Sequence, residues 1–202
     1  MTSFALRPVL AKAGAGLFLA AVVGTAAWLV FSGGCPSAAG PSAGSGASAP
    51  DADAGSRHEA LWWTPLPGGE VQCTLCPNAC RLGDGQIGLC RVRQNIGGTL
   101  CSLSYGQIAA AHVDPVEKKP FYHVLPGSRA FSLATPGCNL RCLFCQNWEI
   151  SQSYPWEVAT RTVSPEEVVE AALQSGAESI AFTYSEPTIF YEYMLDIARL
   201  AQ

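Results

Sequence analysis

Apolar residues are unevenly spread along this chain, and their spacing changes character from one end to the other. From Ala13 to Phe31 the residues are almost all apolar or small and none is charged, close to the ~20 positions a helix needs to cross a bilayer. Residues 1–31 are therefore expected to form a membrane anchor, a transmembrane helix. A cleaved signal peptide, with Arg7 and Lys12 as its charged start, is the alternative, although the apolar run exceeds the usual signal core. Cys35 resembles a lipoprotein acceptor only loosely, because Ser32 stands where an aliphatic residue is expected. Residues 32–60 are built mostly of Gly, Ala, Ser and Pro, which bury too little side chain to offset their ordering entropy, and read as a flexible linker. Large apolar residues return at Leu61-Trp62-Trp63, where the folded part is expected to begin.

Two further regions follow, a Cys-rich segment over 61–128 and a core over 129–202. Leu100 to His112 has β-type composition; Asp114 to Pro120 breaks it, and Phe121-Tyr122-His123-Val124-Leu125 resumes, so a hairpin or two short strands is expected. Arg129 to Thr135 reads as a strand stopped by Pro136-Gly137. Ser164-Pro165-Glu166-Glu167 combines an N-cap serine, a proline in the first turn and a glutamate three positions on, a capping box that opens a helix over Pro165–Gln174, ended by Gly176. Glu178 to Tyr184 returns as a buried strand. After Pro187, the residues Ile189, Tyr193, Ile197 and Leu200 recur at helical spacing. Strand, helix, strand, helix argues for a parallel sheet, with chemistry carried on the loops that follow the strands' C-terminal ends.

Composition changes this picture in two ways. With 12 Lys and Arg against 16 Asp and Glu and no basic run, the chain lacks the electrostatic footprint of nucleic-acid binding. Nine cysteines in 202 residues is a high count, and two local groups hold all but Cys35 and Cys101, which suits metal or cluster ligation better than disulfide staples. Cys101 stands apart and reads as a packed free thiol.

The downstream group is Cys138, Cys142 and Cys145, spaced C-x3-C-x2-C on the loop after the 129–135 strand. Three thiolates this close can bind three irons of a 4Fe-4S cube and leave the fourth iron without a protein ligand. A zinc knuckle would want a second cysteine pair, and none follows Cys145. The upstream group is Cys73, Cys76, Cys80 and Cys90, spaced C-x2-C-x3-C-x9-C with glycines at turn positions. That spacing fits a four-cysteine zinc site and a second iron–sulfur cluster equally, with a structural role in either case.

The Cys138–Cys145 run, with Phe144 before the third cysteine, resembles the signature of radical S-adenosylmethionine enzymes. Taken with Cys73 to Arg93, Asp114 to His123, Cys138 to Gln152 and Tyr184 to Tyr193, the chain from about Val71 onward looks like the AmmeMemoRadiSam-system radical enzyme, related to pyruvate formate-lyase-activating enzyme. The resemblance implies that an electron from the reduced cluster cleaves S-adenosylmethionine, that a hydrogen atom is then abstracted from substrate, and that the chain is an oxidoreductase-like enzyme of the type that activates glycyl-radical enzymes. It implies an electron donor such as a flavodoxin or ferredoxin, and a protein or small-molecule substrate. It also assigns Glu186, in Tyr184-Ser185-Glu186-Pro187, to the cofactor's amino group, although the family's Gly-Gly-Glu-Pro glycines are missing. A carboxylate at a helix N-terminus is the plain structural role for the same residue.

A full barrel of that family has six βα units, and two precede Gln202. The expected fold is therefore α/β, a partial radical S-adenosylmethionine (βα) barrel with its first two βα units only, preceded by the Cys-rich loop and β segment and by the N-terminal transmembrane helix. Open sheet edges lead to an expectation of low turnover for such a fragment. The rival reading is a non-catalytic, membrane-anchored, Cys-rich metal-binding scaffold. Arg7 and Lys12 put the cysteines outside by the positive-inside rule, whereas a reduced cluster needs a reducing compartment, so the side of the membrane stays open.

Overall fold

The computed structural model describes residues 57–202. The expected anchor over 1–31, Cys35 and the linker as far as residue 56 lie outside the described residues. Among the described residues no helix is long and apolar enough to cross a membrane. Ordered structure begins before Leu61: strand β1 (His58–Glu59) pairs antiparallel with β6 (Thr99–Ser102), and Ala60 is buried, so the last residues assigned to the linker belong to the fold.

The Cys-rich segment consists of short antiparallel strands. β2 (Trp63–Pro65), β3 (Val71–Cys73) and β4 (Arg81–Leu82) form one sheet, and β5 (Arg93–Ile96) joins β6 and β1 in another. Val71, Cys73, Leu82, Leu100 and Ala60 are the buried residues between them. Asn95, wholly buried, donates to the Gly69 and Leu82 carbonyls and so fastens the two sheets.

The core is a three-stranded sheet in the order β11-β9-β8. β9 (Arg129–Ala134) runs parallel to β11 (Ser179–Phe182), as the alternating pattern predicts. β8 (Ala110–Pro115) adds an antiparallel edge that the pattern does not predict. Asp114 and Pro115 lie inside β8, opposite Ala130 and Arg129, rather than breaking it. Proline is tolerated there because β8 is an edge strand. Phe121 to Leu125, expected to be strand, is an exposed loop. It pairs with no strand of the sheet, whose order is β11-β9-β8.

Between β9 and β11 the chain makes α1 (Trp148–Ser151), β10 (Arg161–Thr162) and α2 (Pro165–Gln174). β10 pairs with β7 (Gln107–Ile108), tying the crossover back to the Cys-rich segment. The capping box of α2 is present in full: Ser164 Oγ accepts from the Glu167 N–H, and Glu167 Oε2 accepts from the Ser164 N–H. After β11 a 3-10 turn over Pro187–Phe190 leads into α3 (Tyr191–Leu200). Leu133, Val168, Ile189, Phe190, Tyr193 and Ile197 form the apolar core with Cys90, Val92 and Ile108 from the preceding segment. Leu200, expected on the buried face, is 48% exposed near the end of α3.

One buried ion pair joins the two regions. Arg93 on β5 donates to Glu192 on α3 at 2.5 Å, with both side chains 2% exposed. The Leu61 N–H donates to the same Glu192 oxygen, and the Leu61 carbonyl accepts from Arg93. Removing one partner strands a charge out of water, so Glu192→Leu is expected to lower stability by about 3–5 kcal/mol in urea denaturation. The double variant Arg93→Met, Glu192→Leu should recover most of that loss; a Glu192→Leu midpoint unchanged from wild type would contradict the assignment.

Candidate functional site

β9 ends at Ala134, and Thr135-Pro136-Gly137 carries the chain over the sheet's edge into the three-cysteine loop. Gly137 has φ +87, the left-handed region that glycine adopts without penalty. It is also crowded: a Cβ there would lie 2.5 Å from the Cys90 carbonyl oxygen and 2.6 Å from Val92 Cγ1. The loop thus rests directly on the Cys-rich segment. Its conformation is fixed by three further bonds, from the Gly137 N–H to the Ile150 carbonyl (2.9 Å), from Asn78 Nδ2 to the Asn139 carbonyl (3.0 Å) and from Gln152 Nε2 to the Leu140 carbonyl (3.1 Å).

Cys138 is buried, Cys145 half-buried and Cys142 exposed. All three line one cavity of about 340 Å³, together with Asn147, Ser151, Thr183, Tyr184 and Glu186. The Leu140 N–H points at Cys138 Sγ (3.4 Å), and the buried Ser151 hydroxyl lies 3.4 Å from Cys145 Sγ. Parallel pairing of β9 and β11 places their two C-terminal loops side by side. Ser185 Oγ donates to the Thr135 carbonyl and Asn147 Nδ2 to the Tyr184 carbonyl, both at 3.0 Å, locking one loop to the other.

Glu186 caps the 3-10 turn that follows it. Its Oε1 accepts from the Thr188 N–H (3.2 Å) and hydroxyl (2.7 Å), while Oε2 makes no hydrogen bond among the described residues. The structural role and the ligand-binding role therefore fall on different oxygens of one carboxylate.

Among the described residues, no three Cys, His, Asp or Glu side chains stand in a geometry that holds a single metal ion. Zinc needs its thiolates around one point, whereas an iron–sulfur cube spreads them over separate irons. Three thiols and no other side-chain ligand type on an open cavity are the donor set a 4Fe-4S cube takes while keeping one iron open, and Glu186 on the same cavity fits a cationic amino group beside it.

Cys73, Cys76, Cys80 and Cys90 also line one cavity, of only about 10 Å³, with Gly88 and Arg93 beside them. Backbone N–H groups of Leu89 and Val92 favour the charged forms of Cys80 and Cys90, respectively. Burial nonetheless pushes the Cys80 thiol up and the Cys90 thiol up to about 12, with neighbouring cysteines adding to both. The four thiols are gathered as the spacing anticipates, though no three stand at single-ion distances. Cys101 is separate, free and half-buried on β6.

The sequence reading missed a second layer behind the cavity. Asp114, 5% exposed, accepts from Lys118 (2.8 Å), Lys119 (2.7 Å) and the Tyr184 hydroxyl (2.6 Å). The two lysines, then the tyrosine, hold its carboxyl well below the usual carboxylate range. Burial, followed by the Asp114 bond, pushes Tyr184 up to about 12.

Residues 132–202 match the Radical SAM superfamily. An uncharacterized protein of Methanocaldococcus jannaschii is 43% identical over 144 residues, which cover 71% of this chain and 43% of that protein. The chain thus spans less than half the length of this relative. No solved structure matches the chain. The matched segment contains the three-cysteine loop, β11 and Glu186, and it supports a radical S-adenosylmethionine enzyme; that superfamily implies a 4Fe-4S cluster and S-adenosylmethionine as cofactors.

Because the loop lies against the Cys90–Val92 backbone, Gly137→Ala is expected to force it outward. The variant should lose about 2–4 kcal/mol of stability, combining left-handed strain with the clash. Iron bound after anaerobic reconstitution should fall with it; wild-type stability and iron content would show that the loop is not seated as described.

Proposed function

We propose that the chain carries the cluster and cofactor site of a radical S-adenosylmethionine enzyme of the AmmeMemoRadiSam-system type, related to pyruvate formate-lyase-activating enzyme, acting by hydrogen-atom abstraction. The observation that carries the reading is the meeting of Cys138, Cys142, Cys145 and Glu186 on one cavity at the adjacent ends of two parallel strands. When bound, a 4Fe-4S cluster supplies the electron that cleaves S-adenosylmethionine reductively. The three thiolates hold the cluster and leave an open coordination position. Ser151 and the Leu140 N–H stand next to the Cys145 and Cys138 sulfurs, where hydrogen bonds stabilise thiolate charge. The Glu186 carboxylate accepts from the cofactor's ammonium, a charge-assisted bond made stronger by partial burial. Activation of a partner protein's glycyl radical, and reduction by a flavodoxin or ferredoxin, are further parts of the proposal that rest on the resemblance.

The upstream cysteines are assigned a separate structural ion. Four thiols in number and kind match a tetrahedral zinc site, and the narrow cavity between them, about 10 Å³, suits a single ion. Small rotations of the four side chains would be needed to bring the sulfurs to one point.

Reconstitution of the full chain under anaerobic conditions tests both assignments. Wild type is expected to bind iron and sulfide, and to form 5'-deoxyadenosine when reduced with S-adenosylmethionine. Cys142→Ala should lose that activity by at least about a thousandfold, since a missing ligand leaves the cluster unheld. Cys80→Ser should keep the cluster's spectrum and lose bound zinc. Undiminished cleavage by Cys142→Ala would sink the catalytic reading, and zinc absent from wild type would sink the structural one.

A further inference from the structure

Tyr184 stands where the resembling family has a glycine, and its backbone lies in the left-handed region that glycine adopts freely. It has φ +65, and the Ser185 N–H bonds to the Thr183 carbonyl across it at 2.8 Å, closing a three-residue turn. For a bulky residue such a turn is strained and persists only when the surroundings over-determine it. Here they do so at every part of the side chain and at the carbonyl. The hydroxyl donates to Asp114 Oδ2 at 2.6 Å; the ring lies under Lys119 Nζ, 4.8 Å from its centroid; His112 meets it edge-on at 5.9 Å; and the carbonyl accepts from Asn147. Asp114 is itself immobilised by both lysines. Strand β8 thereby holds the turn from one side and the cysteine loop holds it from the other.

Two residues beyond Tyr184 lies Glu186, whose Oε2 is unpartnered among the described residues. The direction in which the chain leaves Tyr184 decides where that carboxylate points.

We propose that Tyr184 is a positioning residue: its hydroxyl, latched to Asp114, holds a strained turn that aims Glu186 into the cavity and so sets the affinity for the aminoacyl end of S-adenosylmethionine. The inference rests on the proposed function of this cavity. It gives the Asp114–Lys119 segment a task at the site without direct contact with the cofactor. It also explains how the chain dispenses with glycine, since strain that glycine would avoid is offset by a side-chain latch.

The test titrates S-adenosylmethionine into the reduced, reconstituted full chain and follows the change in the cluster's electron paramagnetic resonance spectrum, with iron content and melting temperature measured alongside. Tyr184→Phe, which removes only the hydroxyl, should keep wild-type iron and weaken cofactor binding about tenfold, the effect of one hydrogen bond in a charged network. Tyr184→Ala should bind more weakly still. Tyr184→Gly lacks the ring too but adopts the left-handed turn freely, so it should bind several-fold tighter than Tyr184→Ala. On a Glu186→Gln background, Tyr184→Phe should add little, because the two act through one contact. Wild-type binding by Tyr184→Phe, equal binding by the glycine and alanine variants, or loss of iron from Tyr184→Phe would each overturn the positioning role. A wild-type cluster whose spectrum ignores S-adenosylmethionine would overturn the cavity's proposed function and this inference with it.

Discussion

The Arg93–Glu192 pair is the contact on which the arrangement of the site depends. It is an expensive contact, since both charges are removed from water and Arg93 Nε and Glu192 Oε2 are left without partners. What it supplies is register. Arg93 begins β5 directly after Val92, and Val92 with Cys90 forms the surface on which Gly137 rests. Gly137 in turn directs Cys138 into the cavity wall. A shift of β5 relative to α3 would therefore pass through Val92 to the cysteine loop, whereas a purely apolar contact between the same elements could slide.

What could be read from the residues follows how local each determinant is. The α2 capping box is satisfied within four residues, so its helix is legible with its boundaries. The β9 and β11 strands are legible because an apolar run bounded by Pro, Gly and helix signals has few other outcomes. Phe121 to Leu125 has an equally apolar look, yet is exposed. Whether such a run becomes a strand depends on the fold laying it alongside a partner, and Phe121 to Leu125 pairs with no strand among the described residues. The misreading of Asp114-Pro115 as a break has the same origin, because only the pairing with β9 makes Pro115 a tolerable strand end.

At the site the same division holds. Cys138, Cys142 and Cys145 can be picked out because ligand identity and spacing lie within one loop, whereas Glu186 is singled out by the family resemblance, and the structure places all four on one cavity. The Asp114–Tyr184 bond spans 70 residues of sequence, and no spacing rule reaches across such a gap. Asp114 to His123 contributes to the family resemblance, but its role appears only when the fold brings β8 behind the Tyr184 turn.

The two cysteine groups also differ in their electrostatics, and that difference separates their chemistry. Burial pushes the upstream thiols Cys80 and Cys90 toward their neutral forms, with Cys90 up to about 12. They become thiolates only if a cation and the nearby Arg93 offset the repulsion, which makes any metal held there part of the folded core. The downstream loop turns one exposed and one half-buried thiol toward an open cavity, which a cofactor can enter and leave. Compaction around Cys90 therefore steadies the ground beneath Gly137, and openness around Cys142 leaves room for exchange at the cavity. A buried group could not release and rebind a cofactor, and an exposed group could not anchor the loop against the strands; the chain needs both, and Gly137 is where they touch.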